Sequence, residues 1–210
     1  MIIGVFLATA ETVAPLLRTP ELESRWHEPS ALADFRISGL AGHLARAVLN
    51  VERYLDAPVP HGIEPMDAVT YFRTTGADAD DPADPIHRVI RERGEQAAEG
   101  GPTALAGQYD SARARLGERL SGLSVGQPVL MFDRHVLLLG ECLLTRLVEL
   151  AVHTDDLAVS LGLPTPDVGD QAMDLVVTTL SRISRQRHGS LAVLRAFSRR
   201  ERTSSNIAAF

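Results

Sequence analysis

The segment Thr145–Ser160, TRLVELAVHTDDLAVS, limits the fold more than any other part of the chain. It is apolar over most of its length and reads as a helix. Glu149 and His153 stand four residues apart in it, one turn above each other on one helix face. At about 100° per residue, Cys142, Thr145, Arg146, Glu149, His153 and Asp156 fall in one sector. The rest of the helix surface is apolar, from Leu143 and Leu144 through Leu150 and Val152 to Leu161. Two readings compete for this narrow polar stripe. It is a solvent face, since Glu and His at this spacing commonly form a surface pair. Or it lines an internal cavity, since a helix apolar on most sides belongs inside a protein. Charges buried there need partners or a metal ion.

A carboxylate and an imidazole stacked in this way can reach one ion. The best candidate for a third ligand is His43 in GLAGHLARAV, beside Leu40, Leu44 and Ala47 on a second apolar helix. Taken singly, His43 is more often a satisfied core histidine. Together, His43, Glu149 and His153 form a His, His, Glu set that leaves a position open for water or substrate, the catalytic pattern of zinc sites. Zinc is the default ion, and nickel or iron also suit these ligands. Arg146 is a candidate anchor for a substrate carboxylate, or a salt-bridge partner of Glu149 or Glu141. Asp156 is a candidate acceptor for a ligand imidazole, or a surface aspartate near the helix end. Cys142 reads as a small hydrophobe. His27, His61, His87, His135 and His188 have no partner at ligand spacing and read as surface or loop residues.

The remaining pattern is helical. A first helix is expected over about Ile2–Leu17, with an extension past Pro20 toward Trp26, and a second over Ser38–Leu55, capped by Ser38 and stopped by Pro58 and Pro60. Thr74–Pro85, TTGADADDPADP, reads as a loop. Helical pieces follow over Ile86–Ala98 and Thr103–Leu120, split by Gly100-Gly101-Pro102. A fourth major helix spans Val136–Leu161, ended by Gly162 and Pro164, and a fifth Val168–Gln186. No strand pattern stands out. The pattern predicts an all-α bundle with ligands projecting inward from facing helices. Residues 1–165 form the metal-binding bundle, and 166–210 a C-terminal helix and tail packed on the same domain.

Composition excludes several functions. All 21 basic residues are arginine, so lysine Schiff-base chemistry is out. The net charge of −6 and the lack of a basic stripe argue against nucleic acid. The single cysteine excludes an internal disulfide framework and a cysteine-rich zinc site. The opening MIIGVFLATAET has no early basic side chain and is too short to span a bilayer, so neither leader nor anchor is expected and the location is cytoplasmic. Its apolar character suggests a well-buried first helix, partly covered in a homodimer. Arg195, Arg199, Arg200 and Arg202 read as a solvated basic tail, or as an anion clamp if the tail folds back.

The segments Trp26–Leu32 (WHEPSAL), Gly42–Arg46 (GHLAR) and Thr145–Ala158 (TRLVELAVHTDDLA) together resemble the mycothiol-dependent maleylpyruvate isomerase family, a branch of the DinB-like metalloenzymes. Arg91–Ala98, Arg187-His188-Gly189 and the closing Arg199-Arg200-Glu201-Arg202…Ala209-Phe210 extend the likeness over nearly the whole chain. The resemblance implies a four-helix-bundle core and metal ligation by His43, Glu149 and His153. It also implies mycothiol as cosubstrate, for S-transfer to a small electrophile or its cis–trans isomerisation. Ala33–Arg36 stands where relatives often show a Gly-Trp pair, Ala47 where the isomerases carry Asn, and Gly140-Glu141-Cys142 where an acidic residue and a tyrosine are common. These departures motivate the alternative of a non-catalytic ligand-binding or partner bundle with a vestigial metal site.

Overall fold

The computed structural model describes residues 1–75, 85–199, 201 and 207–209. Four helices form the central bundle: α1 (Ile2–Val13), α3 (Ile37–Asp56), α6 (Gly101–Arg119) and α7 (Leu139–Leu161). Each turns its apolar face inward, and Phe6, Leu40, Leu44, Leu105, Tyr109, Leu143 and Leu147 are fully buried among them. The Tyr109 hydroxyl keeps its polar tip satisfied there by donating to the Ala10 carbonyl at 3.0 Å. The all-α reading holds.

The first helix is shorter than its hydrophobic pattern. It ends at Val13, passes through a 3-10 turn, Ala14–Arg18, and α2 (Pro20–Ser24) then starts afresh. Thr19 is extended, and its hydroxyl accepts from the Leu22 amide, so this residue caps α2 instead of continuing α1. Ser38 is not the cap of α3. The helix begins one residue earlier, and the buried Ser38 hydroxyl donates to Glu95 at 2.8 Å. At its far end the extended Ala57 precedes Pro58, which disfavours a helical residue before it.

A two-stranded hairpin, β1 (Pro128–Met131) and β2 (His135–Leu138), occupies part of what reads as the start of the fourth helix. The strands are antiparallel, with Met131 opposite His135. Val136 is a ladder residue and also accepts from the Met66 amide, so α7 starts only at Leu139. It ends as expected: Gly162 takes a left-handed conformation (φ 71°), and its amide closes on the last turn.

The other helices surround one side of the bundle. Helix α5 (Pro85–Ala98) crosses α3 at a glycine contact, where a Cβ on Gly42 would lie 2.0 Å from the Gly94 carbonyl oxygen. Only glycines allow this approach. Helices α4 (Ala68–Thr75) and α8 (Asp170–His188) pack on α7 and on each other, and α9 (Ser190–Ser198) leans on α8. The C-terminal residues return to α8, where Ser184 donates to the Ile207 carbonyl at 2.7 Å and His188 Nε2 lies 2.7 Å from that of Ala208. Most of the loop expected over Thr74–Pro85, and Arg200 and Arg202 of the tail, lie outside the described residues. Among the described residues no helix is long and apolar enough to cross a membrane.

Candidate metal centre and its cavity

Helix spacing puts Glu149 and His153 on one face of α7, and the packing of α3 on α7 brings His43 to them. His43 Nε2 lies 3.0 Å from His153 Nε2, and Glu149 Oε2 lies 3.2 Å from the first and 3.3 Å from the second. Three donor atoms thus form a nearly equilateral triangle. Bonds of 2.0–2.1 Å in a tetrahedral site put neighbouring ligand atoms about 3.3 Å apart. The donor set and its spacing therefore fit a small divalent ion.

The surrounding groups fix each ligand. His153 Nδ1 sits 2.9 Å from Asp156 Oδ2, so the carboxylate accepts from that nitrogen and leaves Nε2 for the centre. Asp156 thus accepts from the His153 imidazole rather than standing free at the surface. Arg146 is 4% exposed and lies 4.0 Å from Glu149 Oε1, the carboxylate oxygen outside the triangle. Its Nε donates to Thr145 Oγ1 at 3.1 Å, and its guanidinium stands about 6 Å from the rings of Tyr71 (5.9 Å) and Phe132 (5.8 Å). Of its two sequence readings, the partner of Glu149 has direct geometric support.

The electrostatics follow from burial and these contacts. Burial opposes charge on Glu149, but the hydrogen bonds of His153 and His43, and then Arg146, hold its carboxyl well below the usual range. Burial also opposes charge on His153, but Asp156 and Glu149 outweigh it and push the imidazole up to about 9. His43 shifts the other way, lowered by burial and by its neighbour His153.

The triangle opens into a cavity of about 1150 Å³. Arg146, Glu149, His153 and Asp156 of the polar stripe line it, and Cys142 and Thr145 are buried, so the stripe is not a solvent face. His87 and His135, read from sequence as surface or loop residues, also line this cavity. His135 is carried there by β2 and meets the Tyr71 ring edge-on at 5.6 Å; burial and then Arg134 lower its pKa. Tyr71, Arg46 and Asn50 line it as well, none of them singled out by spacing. The sequence does hold one signal for two of these: Arg46 and Asn50 follow His43 by three and seven residues, the register of one helix face. Cys142 is fully buried, and its thiol is pushed up to about 12. It belongs to the core, as its sequence context implies.

An all-α bundle with a His, His, Glu triangle between two core helices defines the class as DinB-like. The comparison with protein families narrows this further: residues 6–158 match the family described as the mycothiol maleylpyruvate isomerase N-terminal domain. The chain belongs to that family. No curated protein and no solved structure matches it.

Proposed function

We propose that the protein is a metal-dependent enzyme that uses mycothiol for S-transfer to, or cis–trans isomerisation of, a small electrophile. The observation that carries this reading is the convergence of His43, Glu149 and His153 on one point at the wall of a large cavity. Family membership supplies the thiol. A divalent ion held by the three residues is a Lewis acid that favours the thiolate, the nucleophilic form of a thiol. Zinc is the first choice for such a ligand set.

The chain's own groups prepare the site. Asp156 holds the His153 ring in the orientation that aims Nε2 inward. Arg146 pairs with Glu149 and, together with the hydrogen bonds of His153 and His43, keeps that carboxylate ionised. Tyr71 and Phe132 wall the cavity beside Arg146 and keep water from its guanidinium. Electron density that builds up on a substrate after sulfur addition meets a fixed positive field from Arg146. The adduct is either retained, giving transfer, or loses the thiolate after bond rotation, giving isomerisation.

Elemental analysis of protein purified without added metal tests the first step. One divalent ion per chain is expected, and His153→Ala should contain less than about a tenth of that. Wild type without bound ion, or His153→Ala with its full complement, sinks the metal centre. Incubation with mycothiol and a panel of electrophiles, followed by mass spectrometry and chiral or geometric analysis of products, tests the second. Protein with its ion bound that forms no conjugate and isomerises nothing is a non-catalytic bundle.

A further inference from the structure

The cavity has a second polar pole, on α3 beyond His43. Arg46 lies three residues further along the helix and Asn50 seven, about 4.5 and 10.5 Å along its axis. Both line the cavity. Neither is fully spent on the fold. Among the described residues no carboxylate pairs with Arg46, whose one hydrogen bond, from Nη1, goes to the Arg93 carbonyl at 3.2 Å. The Asn50 side-chain nitrogen is buried with no hydrogen-bond partner among the described residues. A buried donor without a partner costs free energy unless a ligand satisfies it.

The surrounding charge points the same way. Arg93, Arg134 and Arg146 line the cavity with Arg46, whereas its described carboxylates, Glu149 and Asp156, are both engaged with histidines. Burial lowers the pKa of Arg46; Tyr54 opposes this, and Arg93, Arg146 and Arg53 lower it further. This excess positive charge lies beside an apolar wall of Phe72, Ile90 and Leu180. A planar guanidinium with free N–H groups, next to a free amide N–H, matches a carboxylate held at two oxygens.

We infer that Arg46 and Asn50 form an anion subsite that binds a carboxylate of the substrate, about one to two helical turns from the His43, Glu149 and His153 triangle. The substrate class is then a small apolar-bodied carboxylic acid whose reacting atom and carboxylate are separated by roughly 5–10 Å. This rests on the thiol reading only for what happens at the other end of the molecule.

Mercaptohexanoate and mercaptohexanol probe the subsite, because they share a thiol and a chain and differ in the terminal charge. Calorimetric titration of the protein as isolated should show the acid binding about tenfold or more tighter than the alcohol. Arg46→Gln should erase this preference while leaving the affinity for the alcohol unchanged, which also shows that the variant is folded. Arg46→Lys should keep part of the preference, since the charge remains and the fork is lost. Equal binding of acid and alcohol to wild type, or an undiminished preference in Arg46→Gln, overturns the subsite. Should Arg46→Gln bind neither probe, Arg46→Lys decides: a retained preference supports the subsite and its absence overturns it. Should wild type bind neither thiol, the thiol reading fails on its own. Hexanoate against hexanol, titrated into the same variants, then decides the subsite by the same Arg46-dependent preference.

Discussion

At the scale of single residues, the Glu149–His153 pair of the candidate site is legible in the sequence because helical spacing is a local property. Glu149 and His153 need only one unbroken helix to share a face, and α7 provides it. His43 is harder to place, because its position opposite them depends on how α3 and α7 pack. The histidines of the cavity rim show where local reading ends: His135 has no helical context, and only the pairing of β2 with β1 turns it inward. The contribution of Asp156 is open to a direct test. Asp156→Asn preserves shape but replaces a charged acceptor for His153 Nδ1 with a neutral one. Metal affinity, measured by competition with a chromophoric chelator, should fall roughly 10–100-fold. An unchanged affinity would show that the contact at 2.9 Å does not support the ligand. Cys142 offers a second test, with a sign set by burial. Its folded-state pKa is raised from 9.0 to about 12, so the native protein holds that proton longer than the unfolded chain does. The stability linked to it is present below about pH 9 and is lost as the pH rises toward 12. The thiol should not react with a disulfide reagent in the native state near pH 8 and should react at once in guanidinium. Rapid native labelling contradicts the buried assignment.

At the scale of elements, helices are read well and their ends poorly. The hydrophobic pattern runs on through Ala14–Arg18 and through Val136–Leu138, because buried residues are apolar whether they sit in a helix, a 3-10 turn or a strand. Nothing local distinguishes the short β2 from an added helical turn; its pairing with β1 and the Met66 contact make the choice. The α3–α5 crossing is equally hidden from local reading. Gly42 and Gly94 look ordinary in the sequence and become decisive only when the two backbones meet. A methyl group at Gly42 meets backbone on α5, which cannot rotate away as a side chain would. Gly42→Ala should therefore destabilise by at least about 1–3 kcal/mol, by forcing the helices apart. Gly107 is the control. It lies inside α6 with no atom within 4 Å of where an added methyl would stand, so Gly107→Ala should stabilise by roughly 0.5–1 kcal/mol through helix propensity alone. Urea midpoints of the two variants should move in opposite directions. Movement in the same direction would remove the glycine contact as the reason α5 lies where it does.

At the scale of the whole molecule, the three ligands come from two core helices that are far apart in sequence. An ion held between His43 of α3 and the Glu149–His153 pair of α7 would tie these two helices together. Without it, the same triangle holds two imidazoles whose nitrogens face each other at 3.0 Å, with one carboxylate shared between them. Binding to the native state alone stabilises by RT ln(1 + [L]/Kd), about 2.7 kcal/mol when free ion stands at a hundredfold excess over Kd. For a chain of this size each kcal/mol moves Tm by roughly 2–4 °C, so chelation should lower Tm by about 5–10 °C. The same chelator should leave the Tm of His43→Ala unchanged, since that variant has lost the ligand from α3. This comparison separates a linking ion from a general effect of the chelator. If wild type loses its ion, as checked by elemental analysis, and its Tm stays where it was, the triangle is a set of chance contacts and not a brace between α3 and α7. If Tm falls equally in wild type and in His43→Ala, the ion sits on α7 alone. The open coordination position assumed for chemistry would then have to be redrawn around Glu149 and His153.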